Sequence, residues 1–290
     1  MKSIDIKSIA KNVIKIESDA VSLLEDRIDD IFESVVKTLL KCKGRLIISG
    51  MGKSGIISQK IASTMSSTGT PAYFVHPSEA IHGDLGMITS QDIIMLLSNS
   101  GETTELIQIL PALQKKKVTI IGLIGKAGST LSNEADIFLD TSVEKEACTL
   151  DLAPTASTTA TLAMGDALAI SLLELRGFNK ENFAELHPGG VLGKKLLLTV
   201  DHLVHSGKDL PFVVASTKIK EALLTISEKG LGITGVLNEN KELVGIITDG
   251  DIRRGIEKNY DNFFDQPAEL IMSKDPKTIE SKTLAISALE

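Results

Sequence analysis

Short runs of apolar residues alternate with stretches of helical spacing through the first two thirds of the chain, and this alternation restricts the fold more than any other feature. The runs are RLIIS, AYFV, DIIMLLS, VTIIGLIG and DIFLD, and a long helical pattern, ASTTATLAMGDALAISLLELRG, follows the last of them. Strands that are apolar on both faces are typical of parallel sheets covered by helices on both sides. We therefore predict an α/β domain with a doubly wound parallel sheet over about residues 1–200.

The two ends of the chain follow other patterns. Apolar side chains recur at helical spacing over about residues 4–42, which predicts one or two amphipathic helices before the first strand. From residue 203 the pattern reads as a helix, a hairpin and a closing helix. Part of it returns and stops mid-pattern, so we expect a smaller α+β module over about residues 203–262, an incomplete second copy over about 263–290, and a longer natural protein.

Composition excludes several classes of partner. The 31 Lys and Arg against 38 Asp and Glu leave a net charge of -7, which repels polyanions, and Trp is absent, so we expect no nucleic acid partner. No apolar run approaches the length of a membrane span, and the charged N-terminus has no apolar signal-peptide core, so we expect no membrane partner. Two cysteines without ligand spacing fit a reducing compartment, and we expect a cytoplasmic protein.

The loop GMGKSG, residues 50–55, follows the first predicted strand and satisfies the pattern GxGxxG. A dinucleotide site would want a carboxylate at the end of the next strand, which ends in His76 instead. A Walker A motif would need glycine where Ile47 stands. A tight strand-to-helix turn with Lys53 in solvent is the plainer alternative.

A second polar loop, SNSGET, ends the strand DIIMLLS and opens a helix. Ser98, Ser100 and Thr103 bring hydroxyl groups to the positive end of that helix, where one phosphate would fit. A serine-rich helix cap is the alternative for this loop alone. Because loops at the carboxyl ends of parallel strands share one edge of the sheet, the two loops together favour a phosphorylated ligand.

These loops, with longer segments around them, resemble known protein families. The SNSGET strand and loop are similar to sugar isomerase (SIS) domains, which bind phosphosugars through such loops. GMGKSG, STGTPAYFVHPSEAIHGDLGMI, VEKEACTLDLAPTASTTATLAMGDALA and RGFNKENFAELHPGGVLG closely resemble the D-arabinose-5-phosphate isomerase family over essentially the whole first 200 residues. GIITDGDIRR resembles a CBS (cystathionine-β-synthase-type) module, which that family carries in tandem.

The resemblance implies a reversible isomerisation of D-ribulose 5-phosphate and D-arabinose 5-phosphate through a cis-enediol. It also implies a homotetramer with active sites near subunit contacts and a product that feeds the synthesis of Kdo for lipopolysaccharide. The reaction requires no redox cofactor. An isomerase for another phosphosugar remains an alternative, as does a non-catalytic phosphosugar sensor with CBS modules, which would have little need for Lys53, Glu146 and His187 together.

Four residues match the catalytic positions of the family: Lys53, Glu105, Glu146 and His187. As hypotheses, Glu146 transfers the proton, with its pKa raised by shielding from water, and His187 opens the cyclic sugar. Lys53 would stabilise the enediolate, and Glu105 would orient Lys53 or a sugar hydroxyl. A solvated glutamate and an ordinary loop histidine are the alternatives for Glu146 and His187.

The expected substrate contacts come from the two loops and from positions that match the family's contacts. They are Ser49, Ser54, Gly69, Thr70, His76, His82, Ser98, Ser100, Thr103, Gln108, Lys117, Ser142, Val143 and Glu144.

The sequence also contains a candidate metal site and a candidate nucleotide site. His76 and His82, with Glu79 and Asp84 nearby, do not form a standard zinc signature, but the resemblance associates His76 with a bound Zn²⁺ that inhibits rather than catalyses. In the CBS-like half, Thr248, Asp249 and Asp251 stand where such modules hold a nucleotide ribose; a Gly-Asp turn is the alternative.

Overall fold

The computed structural model describes residues 5–207, 210–258 and 261–289, and the chain divides into two compact units, residues 1–190 and 191–290. The predicted domain limits near residues 200 and 262 stay predictions. Each unit has a sheet and a hydrophobic core of its own.

The first unit alternates strands and helices after two N-terminal helices. Its helices are α1 (Ile6–Ser22), α2 (Asp30–Leu40), α3 (Gly52–Ser67), α4 (Pro77–Ile81), α5 (Thr104–Lys116), α6 (Thr130–Glu134), α7 (Ala156–Leu175) and α8 (Lys180–Leu186), with 3₁₀ turns at Glu25–Arg27 and Asp84–Met87. Its strands are β1 (Leu46–Gly50), β2 (Ala72–Phe74), β3 (Ile93–Ser98), β4 (Thr119–Ile124) and β5 (Ile137–Asp140). The two amphipathic helices and all five strands confirm the sequence-based prediction.

All five strands run parallel, in the order β2-β1-β3-β4-β5. The doubly wound sheet is therefore confirmed. The winding direction reverses between β1 and β3, where Gly50 pairs with Leu97. Ligands of open parallel sheets bind in the crevice outside the carboxyl ends of the strands at this reversal point.

Side chains of alternating parity fill two cores, one on each face of the sheet. Ile48 and Met95 pack with α2, α3 and α7 on one face, and Ile47 and Ile94 face α4, α5 and α6 on the other. This double burial is why the strands are apolar without alternation.

Helix α7 has the length and mean hydropathy of a membrane span, and 44% of its most apolar window is buried. The helix packs on α1, α2 and α3 and buries Ala160, Met164 and Leu168 in the core of the first unit. A central core helix of a globular domain is apolar all round for this reason.

The second unit is a small α+β module built on one hairpin. Its elements are α9 (Val191–Leu197), β6 (Phe212–Val214), α10 (Ile219–Lys229), β7 (Ile233–Leu237), β8 (Leu243–Thr248), α11 (Asp249–Glu257) and β9 (Ser273–Lys274), with 3₁₀ turns at Val200–His202, Phe263–Asp265, Ala268–Leu270 and Ala285–Ala288. The sheet order is β6-β7-β8-β9. The predicted hairpin is confirmed, and its turn closes with the Lys241 N–H donating to Asn238 O at 3.0 Å.

Candidate active site

The loop between β1 and α3 ends in a helix whose first turn faces the reversal point. Met51 precedes α3, and its apolar side chain cannot cap the N–H groups of that turn. Glycine lets the helix pack close to the strand, because a Cβ on Gly55 would lie 2.6 Å from Gly50 O. The amino end of α3 is thus presented at the carboxyl edge of the sheet.

The neighbouring loop between β3 and α5 folds around a buried serine. Ser98 Oγ accepts the Gly101 N–H at 2.9 Å and lies 2.8 Å from Thr103 Oγ1. Thr103 precedes α5, and its hydroxyl is engaged with Ser98. Gly101 has φ +67°, and a Cβ there would overlap the Ser129 side chain, so the loop requires glycine.

The two helix amino ends therefore flank the reversal point together. Each offers backbone N–H groups and the positive end of a helix dipole, which is the arrangement that binds phosphate. Lys53 lies exposed in the first turn of α3, and Glu105 lies half-buried in the first turn of α5. The sequence predicted that these two residues share one edge of the sheet, and the structure has them there.

A small cavity connects these loops with the start of α7. Its lining includes Ser54, Asn99, Ser157 and Thr158. The Ser157 hydroxyl is buried, and it acts as a donor to the Glu146 carboxylate, whose pKa it helps to lower. Buried hydroxyl groups are nearly always paired, and this carboxylate is the acceptor at hand. Sequence reasoning missed Ser157; the hydroxyl-rich start of the long helix, ASTT, was the available signal.

The environment of the Glu146 carboxyl differs from the one that the sequence predicted. Its Oε2 accepts the Thr155 N–H at 2.8 Å, the Thr155 hydroxyl at 3.0 Å and the Ser157 N–H at 3.2 Å. Burial by itself raises the pKa of the Glu146 carboxyl, but the nearby Ser157 and Thr155 donors outweigh burial, and the pKa is lowered. The expected raised pKa is wrong, because the carboxylate caps the amino end of α7.

His187 follows α8 and is held by that helix. Its Nδ1 lies 2.9 Å from Phe183 O, and its ring stacks on the Phe183 ring with centroids 3.9 Å apart. A carbonyl oxygen only accepts, so Nδ1 donates and Nε2 is the unprotonated nitrogen of the neutral ring. Both of these contacts are with residue 183, and neither links His187 to the loops.

Several expected substrate contacts lie away from the loops. Gly69 and Thr70 lie beyond the carboxyl end of α3, and Pro71 O accepts the N–H of Leu46 at the start of β1. Lys117 follows α5, just before β4. Because α3 has 16 residues and α5 has 13, these positions lie about 20 Å from the loops, at the amino edge of the sheet.

The remaining expected contacts have individual environments. Ser49 is buried and donates its hydroxyl to Val75 O at 2.8 Å, which is a structural bond. Ser54 lines the small cavity, and Ser100 Oγ accepts the Glu102 N–H at 3.2 Å. Gln108 is exposed along α5. The Glu102 carboxylate caps α6 by accepting the N–H and hydroxyl of Thr130 at 2.8 Å each, a contact that the sequence did not reveal.

The chain between β5 and Glu146 includes the expected contacts Ser142, Val143 and Glu144. Asp140 Oδ1 accepts the Ser142 N–H at 2.8 Å, and Arg27 Nη1 donates to Ser142 O at 2.7 Å. Sequence reasoning missed Arg27, because nothing in a helical pattern marks one arginine for a distant loop.

The histidines of HPSEAIH lie at the two ends of α4. His76 Nδ1 accepts the Ser78 N–H at 3.3 Å and caps the helix, while His82 follows it and is exposed. Among the residues that the structure describes, no three His, Cys, Asp or Glu side chains form a group able to hold a metal. The donor set within one chain does not fit Zn²⁺, which takes four ligands in structural sites and three in catalytic sites.

In the second unit, Asp251 is occupied by structural bonds. Its Oδ2 accepts the Thr248 hydroxyl at 2.7 Å and the Thr248 N–H at 2.9 Å, and its Oδ1 accepts from Arg254 at 2.6 Å. These bonds cap α11, and Asp251 is 7% exposed. Asp249 is exposed and remains available to a ligand. The bonds of Asp251 therefore favour a structural turn at this position over a site for a nucleotide ribose.

The fold and the two phosphate-type loops define a sugar isomerase domain followed by a CBS module. The SIS domain family matches residues 39–171, and the CBS domain family matches residues 202–258. The arabinose 5-phosphate isomerase KdsD of Pseudomonas aeruginosa is 47% identical over 289 residues, which cover 100% of this chain and 88% of that protein. The chain belongs to the arabinose 5-phosphate isomerase family.

Other similar proteins support this family membership. The arabinose 5-phosphate isomerase KdsD of Escherichia coli K12 is 46% identical over 89% of this chain and 78% of its own length. A solved structure of c3406 from E. coli CFT073, in complex with arabinose 5-phosphate, is 40% identical and superposes with a TM-score of 0.62 over 65% of this chain and 100% of that one. The range matched by the SIS domain family, residues 39–171, includes both loops.

Proposed function

We propose that the chain interconverts D-ribulose 5-phosphate and D-arabinose 5-phosphate through a cis-enediol. The observation that carries the proposal is the pair of helix amino ends, α3 and α5, on adjacent strands at the reversal point of the sheet. They offer a monoester dianion N–H donors and positive helix ends without a metal. Membership of the arabinose 5-phosphate isomerase family selects this phosphosugar among those that the loops would accept.

The reaction moves one proton between C1 and C2, so it needs a base, an acid and a group that stabilises the enediolate. Lys53 lies beside the phosphate loops and supplies positive charge for the developing oxyanion, and Glu105 orients Lys53 or a sugar hydroxyl. A carboxylate with a lowered pKa is a weak base, so Glu146 is better suited to holding the start of α7. His187, whose Nε2 is unprotonated in its neutral form, fits the proton transfer and the ring opening.

A homotetramer is part of this proposal. Gly69, Thr70 and Lys117 match substrate positions but lie at the edge of the sheet opposite the loops. A second copy that brings these residues to the loops would reconcile their positions with one site. Zn²⁺ at His76 would likewise need ligands from another copy or from the substrate. We further propose that the reaction takes place in the cytoplasm and that its product feeds Kdo synthesis for lipopolysaccharide.

The proposal is tested by adding ribulose 5-phosphate to the full chain in D₂O and following the sugar carbons by NMR. We expect arabinose 5-phosphate with deuterium at C2, because the proton removed from C1 exchanges with solvent before it returns. Binding without exchange or product would contradict the proposal and identify a phosphosugar sensor. Exchange that yields a different aldose would identify an isomerase of another phosphosugar.

A further inference from the structure

Arg27 connects the N-terminal helices to the loop that follows β5. It ends the 3₁₀ turn Glu25–Arg27 between α1 and α2. Its Nη1 donates to Ser142 O at 2.7 Å and to Asp140 O at 3.2 Å, and it lies 3.6 Å from Asp140 Oδ1. The Arg27 side chain is 24% exposed, so these charge-assisted bonds are partly shielded from water.

The segment that Arg27 holds has no helix or strand of its own. Residues 141–147 run from the end of β5 to the chain beyond Glu146 without regular secondary structure. Asp140 Oδ1 accepts the Ser142 N–H at 2.8 Å, and Arg27 takes the carbonyl of the same residue. Both the N–H and the carbonyl of Ser142 are thereby held. These two bonds set the direction in which residues 142–144 leave the sheet.

We propose that Arg27 is a positioning residue for phosphosugar binding, acting by holding the 142–144 segment in its binding geometry. This inference rests on the proposed function, because that segment matches substrate contacts. Among the residues that the structure describes, the guanidinium binds main-chain oxygens and the Asp140 carboxylate. Lysine would keep the charge but lacks the planar fork that fits these acceptors, so it should replace arginine only in part.

The test compares Arg27→Met and Arg27→Lys with Lys60→Met, all in the full chain. Lys60 forms an exposed ion pair with Asp166, between α3 and α7, and serves as the matched control for a lost cation. Binding of arabinose 5-phosphate and of inorganic phosphate is measured by calorimetry, and isomerase rates and Tm are measured alongside. Under the proposed function, inorganic phosphate should contact the helix amino ends, and it has no sugar to reach the 142–144 segment.

We expect Arg27→Met to weaken arabinose 5-phosphate binding and to lower kcat/KM by about 10- to 100-fold, since a small displacement of a contacting segment has effects of this size. Affinity for inorganic phosphate should stay within about twofold, and Arg27→Lys should recover part of the loss. Equal losses for both ligands, or a loss no greater than that of Lys60→Met, would overturn the inference. If the unmodified chain shows no isomerisation, the proposed function fails, while the two binding constants still decide the role of Arg27.

Discussion

The Glu146 carboxylate accepts the Thr155 N–H at 2.8 Å, immediately before α7 begins. This contact places a negative charge at the positive end of the central core helix, where it is stabilised by the helix dipole and by N–H donors. The family resemblance gives Glu146 a catalytic position, and the contact explains how it can matter without acting as the proton-transfer base.

Two replacements of Glu146 distinguish a helix-capping role from a role as the proton-transfer base. Glu146→Ala removes the cap and should lower turnover by about 10- to 100-fold, since a small displacement of a segment at the site has effects of this size. Glu146→Gln keeps an oxygen that accepts from Thr155 and Ser157, so it should recover at least tenfold of that loss by this reasoning. Steady-state rates and the affinity for inorganic phosphate are measured together. If glutamine is as inactive as alanine while phosphate still binds, the charge itself is essential and Glu146 is the base.

His187→Ala should lower kcat by about 10²- to 10⁴-fold, because it removes the proposed acid-base group. Inorganic phosphate should bind His187→Ala about as well as it binds the unmodified chain, because the contacts of His187 are with Phe183 and not with the loops. Phe183→Leu is the control, since it removes the stacked ring but keeps the main-chain acceptor of Nδ1. Full activity in His187→Ala would assign the proton transfer to another group.

Gly101→Ala should lower the unfolding free energy by more than the backbone strain of a left-handed residue alone. Gly128 is the matched control: it has φ +77°, and no described atom lies within 4 Å of the position of its Cβ. Gly128→Ala should cost about 1 to 2 kcal/mol of unfolding free energy from backbone strain. Gly101→Ala should cost about 1 to 3 kcal/mol more, because its Cβ overlaps Ser129. Denaturant unfolding measures both variants, and equal costs would show that the loop has room for the methyl group.

Asp251 should make the second unit sensitive to acid. Burial raises the pKa of its carboxyl, but bonds from Thr248 and Arg254 outweigh burial and hold the pKa below its usual value. A lowered folded-state pKa stabilises the fold above the unfolded-state pKa, and this contribution is lost as pH falls through the folded-state value.

Asp251→Asn should therefore lower the unfolding free energy by about 1 to 3 kcal/mol at neutral pH, and the difference should shrink as pH falls below about 4. Thermal unfolding over that pH range measures it. Asp249→Asn is the control, because Asp249 is exposed. A difference that does not depend on pH would show that the charge of Asp251 contributes nothing.

If another copy or the substrate supplies the missing ligands, inhibition by Zn²⁺ should depend on the His76 imidazole and not on its role as a helix cap. Asparagine is a good helix cap, so His76→Asn removes the imidazole and keeps an acceptor for the Ser78 N–H. We expect chelator to raise the activity of the unmodified chain, and added Zn²⁺ to inhibit it but not His76→Asn. His82→Asn controls for surface binding. Equal inhibition of His76→Asn and the unmodified chain would exclude His76 as the metal ligand.

The fold followed from the sequence because its signals are local. Five apolar runs predicted five parallel strands, and the turn residues after them predicted where the loops leave the sheet. The short helices α4 and α8 were missed, because five and seven residues carry too little periodicity to be seen.

The candidate site was only partly predictable, for a physical reason. Ser98 and Thr103 lie in one loop, so their proximity is set by a few residues of chain. The partners of Glu146 and of Arg27 depend on tertiary packing, which a pattern of residue types does not specify. The sign of the Glu146 pKa shift is one example, since it turns on N–H donors whose positions only the structure gives.

In the proposed complex, the amino ends of α3 and α5 hold the phosphate of the sugar. A crystal structure of the full chain with arabinose 5-phosphate would show where that phosphate binds. We predict the phosphate against the first turns of the two helices, within hydrogen-bond distance of Ser54, Ser100 or their main-chain N–H groups. A phosphate bound instead at the amino edge of the sheet of the same chain, beside Lys117, with the two helix ends occupied by protein, would contradict the account.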